Sequence, residues 1–301
     1  MNLDFYRGKR VLVTGHTGFK GSWMCAVLAE CGAHVLGYAL KPPTEPNLFE
    51  MLRISERMDS RTGDVRNLQC MIDTFKEFGP EIVIHMAAQP IVRESYVNPA
   101  YTYEVNVMGT VNVLEAIRCT ESVKSAVIVT TDKVYKNKEW IWGYREGEEL
   151  NGLDPYSNSK SCAELVTDSY RNSYFKEQKV AVSTVRAGNV IGGGDFAADR
   201  IIPDCYRAAS GGQNIVVRNP YSTRPYQHVL EPVTAYLNIA AKQYEDGTLA
   251  SAYNIGPDLE GCLTTGVLAN MFCESWNAIF GGHVRQVEGA GKDAFHEANF
   301  L

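Results

Sequence analysis

The feature that most constrains the fold is the stretch RVLVTGHTGFKGSWM at residues 10–24, where a short strand-like run leads into closely spaced glycines. Gly15, Gly18 and Gly21 lie directly after the predicted strand and directly before a predicted helix. Glycine permits the tight turn and the close backbone approach that a pyrophosphate needs, and a helix N-terminus offers free N–H groups and a positive dipole end. Three glycines alone would be weak evidence, but between a strand and a helix they predict a dinucleotide-binding site.

The same alternation of β-branched runs and helical stretches continues along the first half of the chain and predicts βαβ units wound into a parallel sheet. The predicted strands cover residues 10–15, 34–40, 81–88, 125–131 and 180–188. The predicted helices cover residues 21–32, 67–78, 100–118 and 156–176. A helical pattern at 233–246 and a strand pattern at 251–256 indicate a late return to the same domain. The expected fold class is therefore α/β.

A change of composition after Gly188 predicts a second, smaller domain, because glycine and proline become frequent there, beginning with the run at 192–194. Ligands of open α/β sheets bind beside the carboxyl ends of the strands, so we expect this domain to lie there and to hold the substrate. The expected organisation is a dinucleotide-binding domain at 1–188, with a return at about 229–256, and a substrate domain at 189–301.

Charge and composition narrow the classes of function. The chain has 29 Lys and Arg against 35 Asp and Glu, a net charge of 29 − 35 = −6 without basic clusters, so we expect no nucleic-acid partner. The longest apolar stretch is broken by Glu30, Gly32 and His34, and the N-terminus lacks the apolar core of a signal peptide. A cytoplasmic location without membrane contact is therefore expected. The eight cysteines form no CxxC pair and the six histidines show no ligand spacing, which predicts reduced thiols and no metal site.

A second motif lies in DPYSNSKSCAELV, where Asp154 and Pro155 predict the start of a helix. Tyr156 and Lys160 are four residues apart and so share one face of that helix. A nearby ammonium lowers the pKa of a tyrosine, whose ordinary value is about 10, so that the phenolate can take a proton from a sugar or alcohol hydroxyl. YxxxK alone would more often be a solvated surface pair. Combined with the glycine turn and with Thr131 at the end of a strand between them, it predicts a catalytic pair.

The predicted strand at 125–131 runs directly into an acid and a base, Asp132 and Lys133. Removing a charge from water is costly unless the charge is paired or has a catalytic function. Asp132 and Lys133 are therefore either a simple ion pair at the start of a loop or a catalytic acid and base. Strand alternation would put Thr131 and Lys133 on one side and Asp132 on the other. All three can face one substrate only if the strand has ended before them.

The motifs VLVTGHTGFKG, HMAAQP, NVMGTVNVLEA, TTDKVY, PYSNSK and RAGNVIGGGD, in this order, resemble the extended short-chain dehydrogenase/reductase family over essentially the whole chain. Within that family the likeness is to the nucleotide-sugar 4,6-dehydratases, and Lys133, HTGFKGSW, KPPTEPNLFE and YQHVLEP are similar to the branch that acts on CDP-glucose. The resemblance implies a Rossmann-type doubly wound parallel sheet with tightly bound NAD and a smaller C-terminal domain that binds CDP-glucose. It also implies a homodimer through helices 100–118 and 156–176, and a role in deoxysugar biosynthesis such as that of O-antigen.

The reaction implied by this resemblance explains the acid and the base. C4 of the hexose is oxidised, water is lost across C5 and C6, and the hydride returns to C6. Asp132 is expected to protonate the departing C6 hydroxyl, which requires a protonated carboxyl that burial would favour, and Thr131 to hydrogen-bond the C4 oxygen beside Tyr156. Related dehydratases carry glutamate as the C5 base at the place of Lys133. The lysine is therefore either a base in its neutral form or a cation that stabilises the enolate while another group takes the C5 proton.

The resemblance also implies binding residues. The expected cofactor contacts lie in the glycine turn, in the loops after the third and fourth strands and on the catalytic helix: Gly15, His16, Thr17, Gly18, Phe19, Lys20, Gly21, Asp64, Val65, Ala87, Ala88, Gln89, Tyr156 and Lys160. The expected substrate contacts are Ser95, Asn189, Arg200 and Arg224, with Asp195 beside them. His16 and Lys20 would add positive charge near the pyrophosphate or be solvated. Lys41 stands where an acid normally holds the ribose of NAD, which leaves a 2′-phosphate as an alternative.

Two other functions stay open at this point. A dehydratase for another nucleotide sugar, or a 4-epimerase, would use the same tyrosine, lysine and hydroxyl donor. A non-catalytic module that senses NAD or nucleotides would keep the same sheet, although it would not need Thr131, Asp132, Tyr156 and Lys160 together. The final residues HEANFL at 296–301 resemble a family segment that normally continues, which predicts either a missing C-terminal piece or a shorter version of the substrate domain.

Overall fold

The structure, a computed structural model, describes residues 3–289, so the terminal HEANFL lies outside the described residues. The strands are β1 (Arg10–Thr14), β2 (His34–Ala39), β3 (Asp59–Thr62), β4 (Ile82–His85), β5 (Ser125–Val129), β6 (Ala181–Ala187), β7 (Val190–Ile191), β8 (Ile215–Val217), β9 (Thr223–Pro225), β10 (Gln227–His228), β11 (Ala252–Ile255), β12 (Cys262–Thr264) and β13 (Gln286–Glu288). The α-helices are α1 (Phe19–Glu30), α2 (Leu48–Met51), α3 (Leu68–Phe78), α4 (Val92–Val97), α5 (Pro99–Tyr103), α6 (Gly109–Arg118), α7 (Pro155–Tyr170), α8 (Lys176–Gln178), α9 (Ile201–Ser210), α10 (Leu230–Glu245) and α11 (Thr265–Phe280). Short 3-10 turns cover Leu3–Tyr6, Ile54–Glu56, Asp132–Val134, Gly247–Leu249 and Leu259–Gly261, and π-helical segments cover Glu104–Met108 and Arg171–Phe175.

Seven strands form the central sheet, in the order β11-β6-β5-β4-β1-β2-β3, and every neighbouring pair is parallel. The strand order reverses between β1 and β4, which is the point where the crevice of a doubly wound sheet opens at the carboxyl ends. The predicted fold class, an α/β protein with a Rossmann-type parallel sheet, is confirmed.

Side-chain alternation divides each central strand between two apolar cores. Val11 and Val13 of β1 pack on one face against α1 and α10, whereas Leu12 packs on the other face with α3 and α6. These three side chains are fully buried. Each contributes about 1.5–3 kcal/mol by leaving water. A strand covered on both faces needs apolar residues at every position, which explains why the predicted strands are continuous β-branched runs rather than alternating ones.

Two strands end earlier than predicted, and this places polar groups at the sheet edge. The strand predicted at 81–88 ends at His85, and the one predicted at 125–131 ends at Val129. The helix predicted at 100–118 is built from α5, a π-helical segment and α6 in succession. The helix predicted at 156–176 consists of α7 followed by the second π-helical segment and α8.

The late part of the chain contributes to both regions of the molecule. β11 pairs with β6 in the central sheet, and α10 packs against β5 and β6. A smaller core lies elsewhere, where Cys205 and Ala209 of α9 meet Ala269 and Cys273 of α11 and Ile215 of β8. The predicted domain bounds themselves stay a prediction. None of the helices in residues 3–289 has both the length and the apolar character needed to cross a membrane.

Candidate active site

A cavity of about 760 Å³ lies at the carboxyl ends of β5 and β6 and extends to α9 and β8 of the smaller core. Several residues predicted from different parts of the sequence meet in it, namely Lys20, Thr131, Lys133, Tyr156, Asn189, Asp195, Arg200 and Arg224. The sheet explains this convergence, because parallel strands deliver the residues that follow them to the same edge.

The glycine turn lies beside this cavity, between β1 and α1, and requires glycine at two positions. Gly15 has φ +75, and a Cβ there would lie 2.7 Å from the backbone nitrogen of Ala87. A Cβ on Gly21 would lie 2.1 Å from the carbonyl oxygen of Gly15. At Gly18 the corresponding distance is an ordinary 3.5 Å, and this residue is the N-cap of α1. The turn is thus a compact backbone cradle at a helix N-terminus, which is the geometry that a pyrophosphate needs.

The structure contradicts the expectation for His16, which neither adds charge to the turn nor is solvated. The ring is fully buried, its Nε2 lies 2.7 Å from Ser60 Oγ, and it packs edge-on against Phe49. Burial lowers the pKa of His16 to about 4, so the ring is neutral at physiological pH. The absent side chain of Gly37 leaves room for the ring, since a Cβ there would lie 2.3 Å from it.

The other side chains of the turn point in different directions. Lys20 lines the cavity, and burial, followed by the charges of Arg200 and Lys133, lowers the pKa of Lys20 to about 8. Thr17 Oγ1 instead donates to the carbonyl oxygen of Leu40 at 2.9 Å. Phe19 packs against the apolar core beside α1. Lys20 is therefore the side chain of the turn that faces the site.

The loop after β3 places Asp64 and Val65 at the far side of the glycine turn. The Asp64 carboxylate accepts from Arg66 Nη2 at 2.7 Å, and this hydrogen bond keeps the pKa of Asp64 below its usual range. Val65 is buried, and its carbonyl oxygen accepts from Asn112 Nδ2 at 2.8 Å. Asp64 also lines a second cavity with Arg66, Asn67 and Glu104, and its predicted contact with the cofactor stays a prediction.

The loop after β4 brings Ala87 and Ala88 next to the glycine turn. The backbone nitrogen of Ala87 donates to Thr14 Oγ1 at 3.2 Å, which ties this loop to the end of β1. Gln89 is buried, and its side-chain amide donates to Thr102 Oγ1 at 2.9 Å. The side chain of Gln89 is thus engaged inside the protein, and the two alanines, both half-buried, are the members of the loop that border the turn.

The predicted catalytic pair lies on α7, and its electrostatics differ from the expectation. Tyr156 is buried, and burial raises its pKa to about 12, although a hydrogen bond with Thr131 acts in the opposite direction. Lys160 Nζ donates to the carbonyl oxygen of Val129 at 3.1 Å, and burial lowers the pKa of Lys160 to about 7. The net shift of the Tyr156 pKa is therefore upward, against the expected lowering, because the cost of burying the phenolate outweighs the effect of the neighbouring groups.

Thr131, Asp132 and Lys133 form one tight turn at the mouth of β5. Thr131 Oγ1 donates to Asp132 Oδ1 at 2.9 Å, and Lys133 Nζ donates to the same oxygen at 3.0 Å. Lys133 Nζ also lies 3.4 Å from Asn189 Oδ1. The second oxygen, Asp132 Oδ2, is buried and has no hydrogen-bond partner in the described part of the chain. Since β5 has ended two residues earlier, the three side chains are free of strand alternation and meet at one place.

The structure does not support the predicted contact between Ser95 and the substrate. Ser95 is fully buried on α4. Its hydroxyl donates to the carbonyl oxygen of Val92 at 2.6 Å and accepts from the backbone nitrogen of Tyr156 at 3.1 Å. Ser95 thus holds the start of the catalytic helix in place.

The remaining predicted substrate residues face the cavity from the side of the smaller core. Arg200 Nη1 donates to Asp195 Oδ2 at 2.9 Å. Arg224 is largely buried, and its Nη1 donates to the carbonyl oxygen of Thr223 at 2.9 Å. Tyr226 also lines the cavity, with its hydroxyl 3.2 Å from Thr265 Oγ1. These groups provide two guanidinium groups and one aromatic face to a bound molecule.

Sequence reasoning missed further polar residues of the cavity wall, among them Arg218, Asn219, Ser222 and Thr265. For Arg218 and Asn219, the only signal is that they directly follow the short apolar run of β8. It also missed the buried residues Glu164 and Arg186, which lie behind the cavity. No group of three His, Cys, Asp or Glu side chains positioned to hold a metal ion occurs within residues 3–289.

Comparisons with known proteins agree with this geometry. The sequence profile of the family described as GDP-mannose 4,6 dehydratase matches residues 12–257. The chain is 50% identical to CDP-glucose 4,6-dehydratase of Salmonella typhimurium over 92% of this chain and 79% of that protein. It is 30% identical to dTDP-D-glucose 4,6-dehydratase of Homo sapiens over 84% of this chain and 70% of that protein.

Solved structures show the same fold at lower identity. UDP-glucose 4-epimerase from Brucella ovis in complex with NAD superposes with a TM-score of 0.80 and 23% identity, covering 98% of this chain and 89% of that chain. The dTDP-glucose 4,6-dehydratase from Bacillus anthracis in complex with NAD has a TM-score of 0.74 and 22% identity, covering 94% and 85%.

Proposed function

Because the chain belongs to the GDP-mannose 4,6 dehydratase family, we propose that its cavity catalyses a nucleotide-sugar 4,6-dehydration with CDP-glucose as substrate. The 50% identity to a CDP-glucose 4,6-dehydratase over nearly the whole chain supports this substrate among the nucleotide sugars. The resemblance to extended short-chain dehydrogenases is confirmed, and the chain is an enzyme of the hydro-lyase class that depends on NAD. The product is CDP-4-keto-6-deoxy-D-glucose.

The observation that carries this proposal is the position of the turn Thr131–Lys133 beside Tyr156. An epimerase or a simple dehydrogenase needs only a tyrosine, a lysine and a hydroxyl donor at the hexose. A dehydratase also needs a group that protonates the leaving C6 hydroxyl and a group that acts on the C5 proton. Asp132 and Lys133 place a carboxyl group and an amine at that position. The carboxyl acts as the acid in its protonated form, and the ion pair is its deprotonated form, so the two interpretations of the sequence, ion pair and catalytic pair, are compatible.

The glycine turn fits NAD, because the missing Cβ atoms of Gly15 and Gly21 allow the tight backbone packing that forms this turn at the N-terminus of α1. Gly15 and Gly18, with the residues around them, would hold the pyrophosphate at the N-terminus of α1, and Asp64 would lie at the adenosine end. The alternative of a 2′-phosphate at Lys41 is not favoured, since NAD is the cofactor bound in the solved structures compared above. When bound, NAD accepts the hydride of C4 and returns it to C6.

In the first half of the reaction, Tyr156 accepts the proton of the C4 hydroxyl and Thr131 hydrogen-bonds the same oxygen. Tyr156 must be a phenolate to act as this base. Burial opposes its ionisation, whereas its hydrogen bond with Thr131 and the positive charge of Arg200 favour it. Lys160 donates to the carbonyl oxygen of Val129 and lies one helical turn after Tyr156, so the two side chains share one face of α7.

In the elimination, Asp132 delivers a proton to the C6 oxygen, which leaves as water while the C5–H bond breaks. Oδ1 is held by Thr131 and Lys133, and Oδ2 has no partner among the described residues, so Oδ2 is the oxygen that can carry this proton. Lys133 lies on the same turn and either takes the C5 proton as a neutral amine or stabilises the enolate as a cation while another group takes that proton. The proton is returned to C5 after C6 has been reduced.

The nucleotide diphosphate would occupy the side of the cavity next to the smaller core. Arg200 and Arg224 line this side, and guanidinium groups bind phosphates with paired hydrogen bonds. Asn189 follows β6 and faces the same region, where its amide can contact either the diphosphate or Lys133. Specificity for cytidine would be set by the polar residues that follow β8.

We also propose a homodimer and a cytoplasmic location. Apolar side chains are exposed on the π-helical segment before α6, on α7 and on the π-helical segment after α7, including Met108, Leu165 and Tyr174. Covering such a surface with a second copy would remove them from water. The eight cysteines are free thiols, which is typical of a reducing compartment. Sedimentation of the purified protein tests the dimer, with a monomer at micromolar concentration as the contrary result.

The test of the reaction is incubation with CDP-, UDP-, GDP- and dTDP-glucose, followed by mass spectrometry of the sugar nucleotide. We expect CDP-glucose to lose one water without net reduction of added NAD. Loss of water from another nucleotide sugar would reassign the substrate. An unchanged mass with a changed sugar configuration would identify a 4-epimerase, and no change in any of the four would favour a sensor.

A further inference from the structure

A buried carboxylate behind the cavity connects the elements that carry the proposed catalytic residues. Glu164 lies on α7, one helical turn after Lys160, and is almost completely buried. Its Oε1 accepts from Thr130 Oγ1, and its Oε2 accepts from Thr184 Oγ1 at 2.6 Å. Thr130 is the residue directly before the turn at 131–133, whereas Thr184 lies in the middle of β6. One carboxylate therefore joins the catalytic helix to the mouth of β5 and to β6.

Arg186 holds this carboxylate and extends the network. Its Nη2 donates to Glu164 Oε2 at 2.7 Å, in an ion pair whose side chains are 4% and 2% exposed. Its Nη1 donates to the hydroxyl of Tyr135 at 2.7 Å, and that hydroxyl donates to Asn254 Oδ1 at 2.6 Å. Tyr135 is the residue that directly follows the 3-10 turn of the catalytic loop. The catalytic loop is thus fixed at both ends, by Thr130 before it and by Tyr135 after it.

Stability alone does not explain such a pair. Two charges taken out of water gain little net free energy from each other, and well-packed apolar residues of similar volume often stabilise a core as well or better. What the pair provides is geometry, because a fork-shaped guanidinium and a carboxylate with several donors define distances and angles. Moving catalytic groups by about 1 Å from their productive positions can lower the rate of a reaction about a hundredfold.

We propose that Glu164, held by Arg186, is a positioning residue for the dehydration and fixes the turn at 131–133 relative to Tyr156 and Lys160. This inference rests on the proposed function for its kinetic part. Its structural part, the fixation of the turn, does not depend on the reaction.

The first test compares two matched variants that each remove one hydroxyl donor from the same carboxylate, Thr130→Val and Thr184→Val. Only Thr130 lies next to the catalytic turn. We expect Thr130→Val to lower kcat by about tenfold to a hundredfold with KM for CDP-glucose little changed, as for misplaced catalytic groups. Thr184→Val should leave both constants near the wild-type values. Equal loss in both variants, or a change confined to KM, would overturn the proposal.

A second test keeps Thr130, which itself borders the cavity. Glu164→Gln alone would leave the charge of Arg186 buried and unpaired and endanger folding, so the double variant Glu164→Gln with Arg186→Met is used. Provided the thermal unfolding transition stays cooperative, we expect kcat to fall at least about tenfold, since the turn loses its fixed partner. A wild-type kcat in the folded double variant would mean that any effect of Thr130→Val comes from direct contact with substrate.

The pH dependence gives a readout that general destabilisation would not move. The charge of Lys20 on α1 lowers the pKa of Lys160, and the charge of Glu164 raises it. The third neighbouring group is His85 of β4, which is buried and neutral. Removing the Glu164 charge should shift the part of the pH–rate profile that belongs to Lys160 to lower pH. If the double variant has a lower kcat but an unshifted pH–rate profile, the charge of Glu164 does not act on Lys160, and this outcome contradicts the proposed link between Glu164 and the catalytic pair.

Hydrogen exchange separates failure of this inference from failure of the proposed function. Amides 131–135 should exchange faster in Thr130→Val than in Thr184→Val, whether or not the protein dehydrates CDP-glucose. If the wild-type protein lacks dehydratase activity but this difference appears, the function is wrong and the fixation is right. If the wild-type protein is active and the two variants exchange alike, the inference is wrong and the function stands.

Discussion

Replacing Asp132 by asparagine should stop the elimination while leaving oxidation at C4 intact. Asparagine keeps the oxygen that accepts from Thr131 Oγ1 at 2.9 Å and from Lys133 Nζ at 3.0 Å. It changes only Oδ2, which has no hydrogen-bond partner within residues 3–289, into an NH2 group. No hydrogen bond to Oδ1 is then lost, and the variant lacks the proton donor together with the negative charge that pairs with Lys133. Loss of the proton donor should lower the rate of elimination by a factor of about 10²–10⁴, which corresponds to about 2.7–5.4 kcal/mol of activation free energy.

The assay follows both halves of the reaction in a single incubation with CDP-glucose. Absorbance of the reduced nicotinamide reports oxidation at C4, and mass spectrometry reports the loss of water. In Asp132→Asn we expect reduced cofactor to accumulate on the enzyme while the mass of the sugar nucleotide does not fall by one water. In deuterium oxide, slow exchange of the C5 hydrogen should continue, because the 4-keto group still makes that proton acidic.

Asp154→Asn is a suitable control, since it makes the same chemical change on α7. Asp154 caps this helix by accepting from the backbone nitrogen of Ser157 at 3.0 Å, and asparagine caps helices about as well as aspartate. Dehydration by Asp132→Asn at the wild-type rate would show that another group protonates the C6 oxygen. Loss of oxidation together with elimination would show that Asp132 supports the site as a whole.

Three further predictions concern the turn, the pH dependence and the lysine. Gly21→Ala should abolish NAD binding in calorimetry, because its Cβ would lie 2.1 Å from Gly15 O, whereas Gly18→Ala, at 3.5 Å, should still bind. Burial lowers the pKa of Lys160 from 10.5 to about 7, so between these pH values the unfolded chain binds one proton more than the folded protein. The free energy of unfolding therefore rises with pH in this range, and Lys160→Met should flatten the rise in urea titrations at several pH values. At Lys133, a base role predicts that Lys133→Glu retains more activity than Lys133→Met, and a cation role predicts the opposite order of rates.

The sequence predicted those parts of the site whose physics is local. The tight turn at Gly15 and Gly21 depends on neighbours within a few residues and on one backbone contact to Ala87 in the loop after β4. The start of α7 depends on a cap at Asp154 and a proline directly after it. The central strands were recognisable because burial on both faces demands continuous apolar runs.

Features that depend on distant parts of the chain were not predictable in this way. The strand β3 has the sequence DSRT and lies at the sheet edge with mostly exposed side chains, so it shows no apolar pattern. His16 is neutral because its ring occupies the space that Gly37 of β2 leaves open. The raised pKa of Tyr156 follows from burial by several elements, which a four-residue spacing does not reveal. The partner of Glu164, Arg186, lies on the strand β6, 22 residues further along the chain.

The chemistry of this site is divided between two short pieces of chain. In the proposed mechanism, the tyrosine and lysine of the oxidation and reduction steps lie on α7, whereas the acid and the amine of the water loss occupy consecutive positions in the turn after β5. Under that mechanism, substitutions at two adjacent codons would alter the fate of the oxidised sugar without disturbing its oxidation. A scaffold arranged in this way lets evolution exchange one reaction outcome for another while the fold, the cofactor and the first chemical step are inherited unchanged.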